Sequence, residues 1–216
     1  MNSVMRRGLA RLAEWAVVLL ARLVTAVRAN WLGVAPVPAR RIYFANHRSH
    51  ADALLVWSVL PPRLRDRTRP VAAVDYWLAN PLRRFFARDV FNSALVERRP
   101  GAPPEAAGAA MGAVLAAGDS LILFPEGTRN MGEVDLLPLK SGLYHLAQAH
   151  RDVDLVPVWI ENLNRVLPKG EVVPVPLLCS VTFGAALGRV SGEAKDAFLH
   201  RAAQALLEIR PKGDAA

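Results

Sequence analysis

Short apolar runs alternate with longer helix-like segments along most of this chain, and this alternation limits its fold more than any other feature. The apolar runs lie at residues 41–45, 71–74, 94–96, 120–124, 155–160 and 177–183. The helix-like segments lie at residues 52–60, 77–87, 104–117, 141–150 and 191–209. Runs that are apolar throughout are typical of strands covered on both faces, and alternation with helices is typical of parallel sheets. The sequence therefore predicts an α/β fold with a mixed, largely parallel sheet flanked by helices.

The length of the chain indicates how many domains it forms. Its 216 residues suffice for one ordinary α/β domain, and no tract rich in proline, glycine and serine divides it into two halves. A short turn-rich stretch at 33–38 separates the first helix-like segment from the alternating pattern. We therefore expect an N-terminal membrane helix at 1–32 and a single catalytic domain at 33–216.

The N-terminal segment has the pattern of an amphipathic helix that lies in a membrane surface. Glu14 and Arg22 interrupt its apolar stretch, so the uninterrupted part is shorter than the ~20 residues that a spanning helix needs. On a helical wheel these two residues share one side with Arg7 and Arg11, while Trp15 and other apolar side chains lie largely elsewhere. The apolar face is expected to enter the lipid headgroup boundary. Packing of this helix on its own domain is the alternative, and a spanning helix stays open.

Net charge and cysteine content limit the partners. A formal net charge of +8 together with a hydrophobic share of 52% suits either nucleic acid or an anionic membrane. The sequence has no zinc-ligand spacing, no basic region with heptads and no aromatic RNA-binding signature, so a membrane is favoured and nucleic acid is not expected. Cys179 is the single cysteine, which excludes an intrachain disulfide and the secreted disulfide-rich class.

A histidine and an aspartate follow the apolar run 41–45. His47 and Asp52 are separated by four residues. A neutral imidazole can take a proton from a hydroxyl group, and a carboxylate on its other ring nitrogen stabilises the imidazolium that forms. The pair therefore predicts a general base and its orienting partner. Two alternatives remain: the two residues cap a turn and the helix after it, or they bind zinc together with His50.

A second polar segment, 126–129, follows the apolar run 120–124 and suits an anionic substrate. Gly127 permits a close approach of the backbone, and the planar fork of Arg129 matches phosphate oxygens. Glu126 is expected to hold Arg129 or to accept a hydrogen bond from a polyol. A Glu/Arg pair that only braces the turn is the alternative.

Two further basic residues are also candidates for binding an anionic substrate. Arg98 lies just after the run 94–96 and is a candidate phosphate ligand, although a solvated surface arginine is equally ordinary. Lys140 precedes a helix whose N-terminal amides can also receive an anion. Both are therefore candidate substrate-binding residues.

Four blocks in this order resemble the glycerophospholipid acyltransferase family, whose best-known members are 1-acylglycerol-3-phosphate acyltransferases. The blocks are Asn46-His47-Arg48-Ser49-x-x-Asp52, Val96-Glu97-Arg98, Phe124-Pro125-Glu126-Gly127-Thr128-Arg129 and Val156-Pro157-Val158. The resemblance covers roughly residues 40–185, and its first and third blocks are the specific ones. The second block lacks the usual glycine-containing apolar run, and Asn130 stands where serine is usual.

The resemblance implies roles for the site residues. It implies that His47 is the general base and Asp52 its orienting partner. The predicted acceptor site contains the residues Arg98, Glu126, Gly127, Thr128, Arg129 and Lys140. The resemblance also implies an acyl-CoA or acyl-carrier-protein donor as cosubstrate, no other cofactor and no metal.

The expected reaction is transfer of a fatty acyl group to a lysophospholipid in phospholipid biosynthesis, with 1-acylglycerol-3-phosphate as acceptor and phosphatidate as product. Thioester donors are cytosolic and no secretion signal is convincing, so we expect a peripheral or monotopic protein at the cytoplasmic face of the cell membrane. Four alternatives stay open: transfer to another lysolipid or to glycerol-3-phosphate, hydrolysis by the same base, a metal-dependent phosphoesterase, and a non-catalytic basic membrane-binding module.

Overall fold

A computed structural model describes residues 3–97, 104–161 and 179–211 of the chain, and within them a seven-stranded sheet forms. Its strands are β1 (Arg28–Trp31), β2 (Arg41–Ala45), β3 (Thr68–Ala73), β4 (Ala94–Val96), β5 (Ser120–Leu123), β6 (Asp154–Glu161) and β7 (Ser180–Phe183). Their order across the sheet is β1-β7-β6-β2-β5-β3-β4. Neighbours are parallel except for the antiparallel pair β6 and β7. The predicted mixed, largely parallel α/β fold is confirmed.

Helices lie on both faces of this sheet. They are α1 (Ser3–Thr25), α2 (Asp52–Val59), α3 (Pro62–Arg65), α4 (Val74–Trp77), α5 (Pro81–Phe85), α6 (Pro104–Ala116), α7 (Gly142–Ala149) and α8 (Lys195–Glu208). A π-helical turn, Phe86–Val90, continues α5.

Strand β2 contributes to both halves of the core, because successive residues of a strand point to opposite faces of the sheet. Tyr43 and Ala45 belong to a buried cluster that includes side chains of α1 and α2. Ile42 and Phe44 belong to a second cluster with side chains of α6, α7 and α8. Both faces of β2 are therefore covered, which explains why its sequence is apolar at every position except Arg41.

Strand β1 is absent from the sequence prediction. It pairs in parallel with β7, and Trp31 stacks on Phe183 with ring centroids 4.0 Å apart. Its residues alternate between exposed and partly buried at the sheet edge, so they form no continuous apolar run. The sheet thus begins within the segment that we expected to be a membrane helix.

The single helix predicted at 77–87 is wrong, because the chain is interrupted at Asn80. This residue has extended backbone angles, and its side-chain Oδ1 accepts a hydrogen bond from the Arg83 N–H at 2.9 Å. Pro81 then occupies the first turn of α5, where its missing N–H costs nothing. Helix α4 therefore ends before this point, and α5 begins as a separate helix with Asn80 as its N-cap.

The last helix begins later than predicted. The pattern predicts a helix from residue 191, but Gly192 has φ +69° and the cap position is Ala194, whose backbone is extended. The left-handed turn at Gly192 separates Ser191 from the helix. Of the strand predicted at 177–183, residues 177–178 lie outside the described part, and β7 begins at Ser180.

Helix α1 contacts the domain through one side and exposes apolar side chains on the other. Ala10 and Val18 are buried, and the buried Glu14 accepts a hydrogen bond from Arg65 Nε at 3.0 Å. The exposed apolar side chains are Val4, Met5, Leu9, Leu12, Trp15, Leu19, Leu20 and Leu23. None of the helices in the described part of the chain has the length and apolarity needed to cross a bilayer. Attachment of α1 to a membrane surface stays a prediction.

Candidate active site

The two polar segments singled out in the sequence meet at the carboxyl ends of two neighbouring strands. Strands β2 and β5 are parallel neighbours, with Phe44 opposite Leu123, so their carboxyl ends lie side by side. His47 follows the end of β2, and the loop 124–130 follows the end of β5. In open α/β sheets the crevice beyond the carboxyl ends of the strands is the usual location of ligand sites.

His47 and Asp52 form a hydrogen-bonded pair. Nδ1 of His47 lies 2.8 Å from Oδ2 of Asp52, whose side chain is 1% exposed. The same oxygen accepts backbone N–H groups of Arg48 and Ser49 at 2.7 and 2.8 Å, so it acts as an acceptor throughout. In the neutral tautomer that fits this hydrogen bond, Nδ1 donates to Asp52 and Nε2 is the ring nitrogen that can take a proton. Asp52 is the first residue of α2, where the helix dipole also favours a carboxylate.

Glu126 fixes the backbone around His47. One carboxylate oxygen accepts the His47 N–H at 2.6 Å, and the other accepts the Leu137 N–H at 2.8 Å. The Asn130 N–H donates to the His47 carbonyl at 2.6 Å, so the loop after β5 holds His47 from both sides of its peptide. Burial raises the pKa of Glu126, against the opposing effect of the two N–H donors. Both of its oxygens already have partners, and its predicted contact with substrate stays untested.

Asn46 belongs to the first sequence block, and its side chain positions the backbone at the end of β2, a role that the motif alone does not predict. Its Oδ1 accepts the Ile160 N–H at 2.7 Å, and its Nδ2 donates to the Ile160 carbonyl at 3.1 Å. This two-point contact joins the end of β2 to β6. A buried asparagine directly after an apolar strand was the signal for such a role, because buried amides need partners.

A cavity of about 590 Å³ lies beside His47. Its basic side chains are His47, His50, Arg83 and Arg129, and within the described ranges no carboxylate lines it. Most of its remaining wall is apolar, including Val17, Leu54, Val71, Trp77, Leu82, Phe86, Phe91 and Phe124. Phe124 also stacks on the His47 ring, with centroids 4.2 Å apart, which fixes the plane of the imidazole. The cavity therefore combines a base, cationic groups and a long apolar wall.

Three predicted binding residues line this cavity: Gly127, Thr128 and Arg129. Gly127 has φ +73°, and a Cβ there would lie 3.3 Å from Cγ of Lys140, so the lysine side chain runs alongside the glycine. Lys140 itself does not line the cavity in the described part of the protein. Arg98 lies outside the described residues, and its predicted role is not addressed by the structure.

His50 also faces the cavity, and its charge state is affected by its surroundings. Partial burial lowers the pKa of His50, and the nearby positive charge of Arg129 lowers that pKa further. In the residues that the structure describes, no group of three or more histidine, cysteine or acidic side chains is arranged to hold a metal ion.

Comparisons with known proteins give a family for the sequence and a match for the fold. The sequence model of the family described as Acyltransferase matches residues 32–161, a range that contains every predicted site residue. Among the matching solved structures is PlsC from Thermotoga maritima, a 1-acyl-sn-glycerophosphate (LPA) acyltransferase. The two folds superpose with a TM-score of 0.67 at 17% sequence identity, over 97% of this chain and 82% of the other. No curated protein matches the sequence at a significant level.

Proposed function

The chain belongs to the acyltransferase family, and on that premise we propose that it acylates a lysophospholipid, with 1-acylglycerol-3-phosphate as acceptor and phosphatidate as product. The donor is an acyl thioester of coenzyme A or of acyl carrier protein. The observation that carries the proposal is the hydrogen bond from Nδ1 of His47 to buried Asp52, which leaves Nε2 unprotonated beside the cavity.

The reaction needs one base and no covalent enzyme intermediate. Nε2 of His47 takes the proton of the acceptor hydroxyl while its oxygen attacks the thioester carbonyl carbon. A carbon–oxygen bond forms, and a tetrahedral intermediate carries the negative charge. The carbon–sulfur bond then breaks, and the leaving thiolate receives the proton from the His47 imidazolium. Asp52 stabilises that imidazolium between the two steps.

The apolar part of the cavity suits the acyl chains of the substrates. Each methylene that leaves water contributes about 0.8 kcal/mol, so a long chain gains most of its binding energy on such a wall. Val17 belongs to this wall and comes from α1, whereas Trp77, Phe86 and Phe91 come from the segment around α4 and α5. The N-terminal helix and the domain would thus both contact the acyl chain of the substrate.

The acceptor phosphate is assigned to the cationic part of the cavity. Arg129 is partly buried there and has no carboxylate partner among the described residues. A planar guanidinium can hold two phosphate oxygens at once. Lys140, beside Gly127, and Arg98 are further candidates for this group.

We also propose that α1 attaches the protein to the cytoplasmic face of the cell membrane. Its exposed side carries Leu12, Trp15, Leu19 and Leu23, with Trp15 62% exposed. Apolar side chains of this size in one row are typical of surfaces that enter a lipid interface. A protein attached in this way would take a lysophospholipid from the bilayer that contains it.

The test is an acyl-transfer assay with purified protein, radiolabelled palmitoyl-CoA and a panel of lysophospholipids that includes lysophosphatidate. Wild type is expected to produce labelled phosphatidate, and His47→Ala to lose at least about 10²-fold in kcat. His145→Ala is the matched control, because this histidine is exposed on α7 and does not line the cavity. Release of labelled fatty acid without an acceptor would instead indicate a hydrolase, and loss of activity with a chelator would indicate a metal-dependent enzyme.

A further inference from the structure

In the described ranges, two partly buried arginines differ from the other buried or partly buried ones, because their side-chain N–H groups have no acceptor. Six other arginines that are buried or partly buried donate to carboxylates or carbonyls: Arg40, Arg41, Arg48, Arg65, Arg69 and Arg201. Within the described ranges, Arg83 and Arg129 have no such acceptor. A guanidinium that is partly removed from water without a partner is costly, so an anionic ligand would stabilise both side chains.

Both of these arginines line the cavity beside His47. The other basic groups on its wall are His47 and His50, and carboxylates are absent from it in the described part of the chain. A phosphate has enough oxygens to be held by two guanidiniums at once, because each planar fork offers two parallel N–H donors. The unpaired arginines therefore point to a phosphate rather than to an internal ion pair.

Arg83 is held in position by Tyr76. Its guanidinium carbon lies 4.2 Å from the centre of the Tyr76 ring, which is a cation–π contact. Its backbone is fixed as well, because the Arg83 N–H donates to Oδ1 of Asn80 at the start of α5. A ring contact supplies no lone-pair acceptor, and none of the hydrogen bonds in the described ranges uses a side-chain N–H of Arg83. These N–H groups can therefore donate to a ligand.

His50 lies near the ring that contacts Arg83 and also near Arg129. The His50 and Tyr76 rings are nearly parallel, with centroids 6.0 Å apart, so the series His50, Tyr76 and Arg83 forms one side of the cavity. Arg129 is near enough to His50 to lower its pKa, after the larger effect of burial. Both arginines line this cavity, and each lies near the neighbouring pair of rings, His50 and Tyr76.

We propose that Arg83 is a second phosphate-binding arginine of this site and holds, together with Arg129, the phosphate monoester of the acceptor lipid, while Tyr76 is the positioning residue of Arg83. The proposal rests on the proposed function and adds a specificity residue that lies in none of the four sequence blocks. An acceptor with a phosphate monoester would be preferred to one without it. A coenzyme A donor also carries phosphates, so the experiment must separate donor from acceptor.

The kinetic test compares Arg83→Gln with Arg84→Gln. Arg84 is the neighbouring residue of α5, is exposed, and donates to the Leu78 carbonyl outside the cavity. With palmitoyl-CoA as donor, Arg83→Gln is expected to raise the KM for lysophosphatidate by about ten-fold or more, with kcat changed by less than about three-fold and the donor KM unchanged. Arg84→Gln should match wild type. A monoacylglycerol, which lacks the phosphate, should show no difference between wild type and Arg83→Gln.

Two further variants test how the arginine acts. Arg83→Lys keeps the charge but loses the planar fork, so it should recover only part of the loss. Tyr76→Leu should raise the KM for lysophosphatidate without lowering the melting temperature, because it frees the guanidinium without opening the core. A rise in the donor KM alone, or equal kinetics for Arg83→Gln and Arg84→Gln, would overturn the proposal.

A binding measurement separates this proposal from the proposed function. Wild type, Arg83→Gln and Arg84→Gln are titrated with a short-chain lysophosphatidate in the absence of any donor, and binding is followed by calorimetry. Weaker binding to Arg83→Gln alone supports the phosphate site even if no acyl transfer is found. Equal binding to all three proteins, or no binding to wild type, overturns it.

Discussion

One carboxylate oxygen of Glu126 accepts the backbone N–H of His47 at 2.6 Å, although the two residues are 79 positions apart in the chain. The second oxygen accepts the Leu137 N–H, so this single buried side chain joins the loop 124–130, which contains Arg129, both to the proposed base and to the segment that follows the loop. The acidic residue of the third sequence block therefore has a structural task. It fixes the position of the proposed base relative to Arg129.

We predict that Glu126→Gln lowers both stability and turnover. Glutamine offers one oxygen and one NH₂ group where two N–H donors now point, so either His47 or Leu137 loses its acceptor. A buried donor left unsatisfied costs about 1–3 kcal/mol, part of which is offset because burial of the Glu126 charge no longer has to be overcome. The melting temperature should fall by about 3–6 °C and kcat by about ten-fold. Glu133→Gln is the control, since Glu133 is exposed, and equal behaviour of the two variants would refute the role of Glu126.

Asp52→Asn tests the orientation of the base. Oδ2 of Asp52 accepts three hydrogen bonds, and an asparagine can reproduce the hydrogen bonds to Arg48 and Ser49 while losing the charge beside His47. We expect kcat to fall by about 10³-fold with little change in either KM, because the imidazolium is stabilised less in the transition state. Asp75→Asn, at an exposed position of α4, should retain full activity. Retention of more than a tenth of wild-type kcat by Asp52→Asn would show that the carboxylate is dispensable.

The fold was predictable where an element depends only on the local sequence pattern. The runs at 41–45 and 120–124 are apolar because helices cover both faces of the sheet, and such runs read directly as strands. Strand β1 escaped prediction because Arg28–Trp31 lies at the sheet edge and becomes a strand only through its pairing with β7. The break in the helix at 77–87 depends on one side-chain cap at Asn80. Such a cap competes with the hydrogen bonds of a continuous helix, and the hydrophobic periodicity alone does not show which of the two forms.

The candidate site divides in the same way between local and distant contacts. The spacing of His47 and Asp52 allowed their contact to be predicted, because five positions across a strand end and a helix start bring the side chains together. The contact between Glu126 and His47 depends on the adjacency of β2 and β5, which the sequence does not specify. Arg83 also required the structure, because its significance depends on the absence of an acceptor and on the Tyr76 ring below it.

The titration of His50 provides a test of the electrostatics of the cavity. Burial and then Arg129 lower the pKa of His50 from its ordinary value of about 6.5, so Arg129→Gln should raise it while the effect of burial remains. His50 therefore binds its second ring proton less tightly in the folded protein than in the unfolded chain. The contribution of His50 to stability is therefore fully present above about pH 6.5 and is lost as the pH falls through the folded-state pKa. NMR titration of the imidazole protons measures the shift, with the exposed His145 as internal reference. An unchanged pKa in Arg129→Gln would mean that Arg129 points away from His50.

A buried ion pair between Glu14 and Arg65 joins α1 to α3 of the domain. Nε of Arg65 lies 3.0 Å from Oε1 of Glu14, and the two side chains are 2% and 9% exposed. Arg65→Ala would leave a buried carboxylate with only the exposed Arg11 on its other oxygen. Loss of one partner of such a pair costs about 3 kcal/mol, at the lower end of the usual range because Arg11 remains. Urea unfolding should show this loss, and Arg63→Ala, an exposed position of α3, should show none.

The same variant tests whether α1 takes part in substrate binding. Val17 of α1 lines the cavity one helical turn from Glu14, so loosening the helix should weaken the grip on acyl chains. We expect Arg65→Ala to raise the KM for long-chain lysophosphatidate more than the KM for a short-chain analogue, measured well below the unfolding transition. The double variant Glu14→Leu with Arg65→Met removes both charges and should recover most of the stability, because an apolar pair has no desolvation cost. If the double variant also recovers the KM for the long chain, the docked helix, rather than the charges themselves, forms the wall of the cavity. Equal KM changes for long and short chains in Arg65→Ala would instead assign α1 a role in stability alone.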